Sequence, residues 1–267
     1  MNVKSTLKPV VGPILGRIRQ QMPALWRYLD VDEGQFRPFK ERLMSMQVAK
    51  TRFYRYSDHQ TIVGWMTPRE RQMLYALAYW LPGPIVEIGS WLGLSTTAIA
   101  RGIRDSGEVK RFDTYDLKLT PDMYRPCKDG MAFYISGDPD PLWINSDHHY
   151  RTEILPIISR PGGSNEILRS NINRLGLSKF VVDHVGDFRR MPSHPCKWVF
   201  CDTIHNLREI EANAKYLRRL LVQDSILACH DIGRSPELIS ALRKELPLGH
   251  GTSVDNLYVA EVQSSTA

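Results

Sequence analysis

Four short clusters carry residue types and spacings suited to binding a ligand or moving a proton. The first is Glu87-Ile88-Gly89-Ser90-Trp91-Leu92-Gly93-Leu94-Ser95. An apolar run, Ile85–Ile88, enters a glycine turn that opens onto a helix-like stretch. Glycine lacks a Cβ, so Gly89 permits a tight turn and a close approach of backbone to ligand, and Gly93 repeats this further on. The start of the helix then offers free N–H groups and partial positive charge. The second cluster is Phe112-Asp113-Thr114-Tyr115-Asp116. An acid at the end of a second strand can accept from both hydroxyls of a ribose. Asp113 is the first choice for that role and Asp116 the second. The third, Val185-Gly186-Asp187-Phe188, is a Gly-Asp loop suited to an adenine amino group. The fourth is Asp202-Thr203-Ile204-His205, again after a strand. All four fall beyond the carboxyl ends of strands, where open α/β sheets bind their ligands.

The glycine spacing narrows the ligand. A dinucleotide fingerprint requires G-x-G-x-x-G, and the chain has G-x-x-x-G. A phosphate loop requires Gly-Lys-Ser/Thr, whereas Gly93 is followed by Leu94 and Ser95. Glu87 would sit awkwardly beside a pyrophosphate but suits a cationic ligand. S-adenosylmethionine meets these demands. It has a sulfonium, an amino group, a ribose diol, and a carboxylate for the helix end and the hydroxyls of Ser95 or Thr96.

The elements that must hold these clusters alternate. Thr67-Pro68-Arg69-Glu70 reads as an N-cap, a proline in the first helical position and a capping-box acid. A helix over 68–81 follows, then a strand at Ile85–Ile88 and a helix over 95–102. Further strands are expected at 109–115, 180–185, 197–201, 225–229 and 256–262. Further helices are expected near 164–175, 206–222 and 236–246. Alternation of this kind predicts an α/β, Rossmann-like, doubly wound and mostly parallel sheet with right-handed crossovers. Residues 1–66 read as an N-terminal helical extension, with loose helical spacing at 14–29 and 35–50. Residues 67–267 form the ligand-binding domain. The stretch 117–163 is too long for an ordinary connection. Its Tyr124, Arg125, Tyr134, Trp143, His148, His149, Tyr150 and Arg151 suit a lid over a polar acceptor.

Composition sets the outer limits. Of 267 residues, 42% are hydrophobic and 24% charged, so the chain is of ordinary globular type. There are 35 Lys and Arg against 29 Asp and Glu, a balance of +6. The positive charges are not gathered in blocks, so nucleic-acid binding is not indicated. No apolar run is long enough for a transmembrane helix. Cys127, Cys196, Cys201 and Cys229 match no zinc spacing and read as free thiols. The N-terminus does not read as a signal peptide, and the expected location is cytoplasmic.

Taken together, the clusters resemble the class I S-adenosylmethionine-dependent methyltransferases. More narrowly, they are similar to the metal-dependent sugar O-methyltransferases of the macrocin O-methyltransferase group and to cephalosporin hydroxylase-like proteins. The resemblance spans about residues 67–262 and includes His230-Asp231-Ile232 after a strand. It implies S-adenosylmethionine held by Glu87, Gly89, Ser90, Gly93, Ser95, Asp113, Gly186 and Asp187. It implies Asp202, His230 and Asp231 as ligands of a divalent metal, Mg²⁺ or Mn²⁺, and Asp202 and His205 as catalytic residues with His205 the base. The position of His230 is usually acidic in metal-using members, and imidazole suits Mn²⁺ better than Mg²⁺. Leu207 and Arg208 also replace an aromatic and an acid, and Val222-Gln223-Asp224 replaces a Pro-Gly-Gly turn. The implied acceptor is a hydroxyl of a saccharide or glycosylated small molecule. In-line methyl transfer needs that oxygen aligned about 3 Å from the methyl carbon, and a histidine can take its proton near neutral pH.

Alternatives are a nucleic-acid or protein methyltransferase, or a non-catalytic cofactor-binding module of the same fold. The chain lacks the Pro-Pro-aromatic motif of amino-directed nucleic-acid enzymes after the fourth strand. Cys196 precedes that strand instead of following it. A homo-oligomer is compatible with the sequence, which does not specify one.

Overall fold

The first described helix begins as its capping signals predict. In the computed structural model, Thr67 Oγ1 accepts from the Glu70 N–H, and the Glu70 carboxylate accepts from the Thr67 N–H. This helix, α1 (Pro68–Trp80), buries Met73, Leu74 and Leu77 and stops before Pro82-Gly83-Pro84. The structure describes residues 53, 55, 56, 61–135, 138–190 and 194–263. The expected helices at 14–29 and 35–50 lie outside these residues.

From α1 the chain alternates. Strand β1 (Ile85–Ile88) is followed by helix α2 (Leu94–Ser106) and strand β2 (Phe112–Asp116). The insert then forms its own three-stranded antiparallel sheet of β3 (Tyr124–Cys127), β4 (Gly130–Phe133) and β5 (Trp143–Asn145). A helical passage follows, made of α3 (Asp147–His149), a π-turn (Tyr150–Ile154) and α4 (Leu155–Ile158). Helix α5 (Gly163–Arg174) leads back to β6 (Val182–Val185) and β7 (Cys196–Cys201). The chain continues through α6 (Leu207–Leu220), β8 (Leu221–Cys229), α7 (Pro236–Glu245), β9 (Leu248–Val254) and β10 (Leu257–Val262).

The main sheet has seven strands in the order β6-β2-β1-β7-β8-β10-β9. The first five pair in parallel, and β10 runs antiparallel to both β8 and β9. The expected mostly parallel α/β sheet is therefore present. Strand β9 is an addition to it. Leu248-Gly249-His250-Gly251 offers no alternating apolar pattern, and the strand forms by pairing with β10 across a turn in which Asp255 has φ 52°.

Two apolar layers cover the sheet. One joins Leu74, Leu77, Ile99 and Ile103 to Phe112, Leu168, Trp198 and Phe200, under α1, α2 and α5. The other joins Val86, Val199 and Leu227 to Ile210, Ala214, Leu217 and Leu242, under α6 and α7. In α6 the buried residues Ile210, Asn213, Ala214 and Leu217 recur at helical spacing, so one stripe faces the sheet. The described part of the stretch before Thr67 packs on this framework. Phe53 is buried with its ring 5.5 Å from that of Tyr75.

Candidate active site

Backbone ladder bonds carry the site residues one step past the strand ends. The N–H of Gly89 donates to Tyr115 O at 2.8 Å, and that of Asp202 to Ile88 O at 2.8 Å. The N–H of His230 donates to Cys201 O at 3.0 Å, and that of Gly186 to Asp116 O at 2.8 Å. Gly89, Gly186, Asp202 and His230 thus share one rim, at the carboxyl edge of the parallel strands. Above this rim lies a cavity of about 460 Å³, within the usual range for cofactor and small-molecule sites.

The glycine turn explains itself sterically. Gly89 has φ +88°, and a Cβ there would meet Asp202 O at 2.7 Å. Gly93 has φ +92° and caps α2, and a Cβ on it would meet the Leu168 side chain at 2.7 Å. Ser90 and Ser95 line the cavity, and Gly93 lies behind them without lining it. Glu87 also falls short of the cavity. Its side chain is fully buried beneath the turn, where it accepts from Thr96 Oγ1 at 2.6 Å and Thr114 Oγ1 at 2.7 Å. Burial pushes its carboxyl up to about 7, against the hydroxyl bonds that favour ionisation. The expectation that Glu87 meets a cationic ligand directly is corrected accordingly: it braces the turn.

Strand parity corrects the ribose acid as well. Successive β2 side chains alternate between faces. Asp113 turns away from the glycine turn and pairs with Arg111 Nε at 2.5 Å and His184 Nε2 at 2.8 Å. Burial opposes its ionisation, but the Arg111 and His184 bonds outweigh it and hold the carboxyl below the usual range. Asp116 faces the cavity instead. It accepts from the Trp91 N–H at 2.6 Å and from Ser90 Oγ at 3.4 Å. Burial pushes it up to about 6, and the charge of Asp202 adds to the effect. Trp91, which donates that bond, has φ 46°, an uncommon conformation for a bulky residue. Gly186 and Asp187 line the cavity too, and both Asp187 oxygens hold Arg189 Nε, at 3.0 and 2.9 Å.

At the other end of the cavity stand Asp202, His205, His230 and Asp231. His205 precedes α6 and is held from behind. Its Nδ1 lies 2.9 Å from Glu209 Oε2, and its backbone N–H donates to the same oxygen at 2.6 Å. Glu209 is buried and is the N3 acid of the helix that Asn206 caps, with its N–H bonding Asn206 Oδ1 at 3.0 Å. The Nε2 of His205 faces Asp231 Oδ2 at 3.4 Å. Burial pulls the imidazole down, but the Glu209 bond and the charges of Glu209, Asp202 and Asp231 prevail and raise it to about 9. Sequence reasoning missed Glu209, although Asn206-x-x-Glu209 is a capping pattern that places the acid four residues after His205.

His230 occupies an unexpected environment. Its Nδ1 lies 3.1 Å from Asp202 Oδ1 and 3.3 Å from Asp231 Oδ1, and its Nε2 lies 3.4 Å from Glu70 Oε2. Burial opposes protonation, yet the three carboxylates push the imidazole up to about 12. The donors close enough to share an ion are Asp202, His205 and Asp231, each offering one atom within 4.8 Å of the others. His230 is not among them, which corrects its assignment as a ligand. A coordinating imidazole needs a free lone pair. Both nitrogens of His205 and both of His230 face carboxylates instead. A divalent ion on Asp202 and Asp231 would also stand about 5 Å from the His230 cation. At an effective dielectric constant near 20 that repulsion is roughly 7 kcal/mol. This donor set does not fit a divalent metal.

The insert supplies the remaining wall. Leu119, Tyr124, Phe133, Leu142, Trp143 and Ile154 line the cavity, with Asn145 and His149 as polar members. The Trp143 ring lies 4.8 Å from that of His205. Trp65 stacks on Trp91 at 5.9 Å and donates from Nε1 to Glu153 Oε2 at 3.0 Å. Asn206 Nδ2 donates to Leu142 O at 2.9 Å, tying the insert to the start of α6.

Comparison with known proteins agrees with this architecture. The family model described as "Methyltransferase domain" matches residues 86–232, more than half of the chain. The chain belongs to that family, as a class I S-adenosylmethionine-dependent methyltransferase. Among curated proteins no relative matches the chain. Several solved structures are similar at low identity. The calicheamicin methyltransferase CalS11 is 18% identical with a TM-score of 0.49, over 87% of this chain and 98% of that one. A putative O-methyltransferase from Klebsiella pneumoniae is 12% identical with a TM-score of 0.47, over 92% and 100%. The O-methyltransferase TomG from Streptomyces achromogenes, solved in complex with SAM, is 15% identical with a TM-score of 0.43, over 90% and 95%. No helix among the described residues is long and apolar enough to cross a membrane.

Proposed function

We propose that the protein is an O-methyltransferase that acts on a hydroxyl of a saccharide or glycosylated small molecule, with His205 as the base. The observation that carries this reading is the His205–Glu209 pair at the cavity rim. Glu209 accepts at Nδ1, 2.9 Å away, and this leaves Nε2 on the cavity side. An imidazole oriented from behind by a buried carboxylate is a general base with a fixed tautomer.

S-adenosylmethionine supplies the methyl group on a sulfonium and departs as S-adenosylhomocysteine. Asp116 accepts from the ribose hydroxyls, Asp187 and Gly186 border the adenine, and Ser90 and Ser95 bond the methionine part beside the turn. Trp143 supports the ring of the acceptor, because an indole face packs on the C–H face of a sugar as it does on an aromatic ring. As the acceptor oxygen bonds to the methyl carbon, the carbon–sulfur bond breaks and His205 Nε2 takes the hydroxyl proton. Asp202 and Asp231 orient the acceptor by hydrogen bonds from its hydroxyls.

The test is a screen of hydroxylated acceptors with isotopically labelled S-adenosylmethionine, the product being located by mass spectrometry. His205→Ala is expected to abolish transfer while its affinity for S-adenosylhomocysteine stays within about threefold, since the cofactor contacts lie elsewhere on the rim. Full activity in His205→Ala, or a label on nitrogen, would overturn the reading.

A further inference from the structure

The acid cluster at the rim holds a cation built from the chain itself. His230 is 3% exposed. A carboxylate oxygen only accepts hydrogen bonds, so a ring nitrogen facing one must keep its proton. Nδ1 faces Asp202 at 3.1 Å and Asp231 at 3.3 Å, and Nε2 faces Glu70 at 3.4 Å. By geometry the ring is an imidazolium. Glu70 cannot turn away from it, because its Oε2 accepts from the Thr67 N–H at 2.6 Å and its Oε1 from the Asn256 N–H at 2.7 Å. Asn256 Nδ2 in turn donates to Asp231 Oδ1 at 2.7 Å. Asp231 has φ +64°, so its backbone is held in the left-handed region by these partners.

We propose that the His230 imidazolium, clamped by Glu70, supplies the positive charge at the Asp202–Asp231 pair, so that methyl transfer here needs no divalent metal. This rests on the methyl-transfer reading above. His230 gives up no proton and takes none. It is a positioning residue that keeps both aspartates ionised and aimed at the acceptor, while the hydroxyl proton goes to His205. The same cation excludes a metal ion, because the lone pairs and space that an ion would use are committed to it.

The experiment is calorimetric titration with Mn²⁺, with S-adenosylhomocysteine saturating, on the wild type and on His230→Asp. The wild type is expected to bind Mn²⁺ no tighter than about millimolar, and His230→Asp at least about tenfold tighter. Wild-type binding of one Mn²⁺ at micromolar affinity, lost in Asp202→Asn, would overturn the proposal. So would a His230→Asp protein that folds, binds S-adenosylhomocysteine and gains no affinity for Mn²⁺. Should that variant not fold, ¹⁵N spectra of the wild-type histidine rings decide. A doubly protonated His230 at pH 8 supports the proposal and a neutral tautomer defeats it. The functional reading fails separately, in the acceptor assay with His205→Ala.

Discussion

Two carboxylates three residues apart on β2 have opposite fates. Asp113 is neutralised by Arg111 and His184 on the face away from the glycine turn, and Asp116 meets the turn through the Trp91 N–H. Asp116→Ala is therefore expected to weaken S-adenosylhomocysteine binding at least about tenfold, the value of one or two charge-assisted hydrogen bonds. Asp113→Ala should leave it within about threefold. Calorimetry on the two variants checks both, and equal losses would return the ribose to Asp113. His205 makes a second prediction. With its pKa raised to about 9, the ring is mostly protonated at pH 7 and only about 1% is in the basic form. The turnover rate at saturating substrates should rise about tenfold per pH unit and level off near 9. Glu209→Gln removes the carboxylate that raises the pKa, so the inflection should fall toward the ordinary histidine value of about 6.5. The stabilising His205–Glu209 pair follows the same sign. Its contribution is complete below about pH 6.5 and is lost as pH rises through about 9.

Local signals placed the elements well, because each element that holds the site has its own start and stop. The capping box at Thr67, the run Ile85–Ile88 and the glycine turn were all legible, and each is found in the structure. Strand β2 was placed slightly early, at 109–115 against the observed Phe112–Asp116. That shift of the strand end left open which of two acids faces the cavity, and parity then decides it. The insert showed no strong pattern, since strands of three or four residues are too short for periodicity to register. Least legible was His230. Its environment depends on Glu70, which lies 160 residues away in the chain, and no local rule joins the two. The turn itself gives a prediction at this scale. Gly89→Ala forces a side chain into the left-handed region and against Asp202 O, 2.7 Å from the new Cβ. The backbone term alone costs about 1–2 kcal/mol. Chemical denaturation should show that loss, together with weakened S-adenosylhomocysteine binding. An unchanged midpoint with unchanged affinity would mean that the turn relaxes freely.

Across the whole molecule the cavity divides into two halves with separate owners. The parallel sheet supplies Gly89, Ser90, Asp116 and Gly186, and the insert supplies Tyr124, Phe133 and Trp143. Trp143→Ala should therefore raise KM for the acceptor, by up to about tenfold from the lost ring contact. Its kcat and its affinity for S-adenosylhomocysteine should change little. Steady-state kinetics with the acceptor found in the screen would show this, and a fall in kcat alone would assign Trp143 to the transition state. The family resemblance covers residues 86–232, yet the rim is not self-sufficient within those bounds. Glu70 arrives from the helix before that stretch and Asn256 from the hairpin after it, and between them they hold His230 and Asp231. A recombinant fragment trimmed to the shared stretch would thus keep every acid of the rim and lose the clasp that closes over it. The flanks that vary most freely in an evolving enzyme are here the ones that set the charge of its centre.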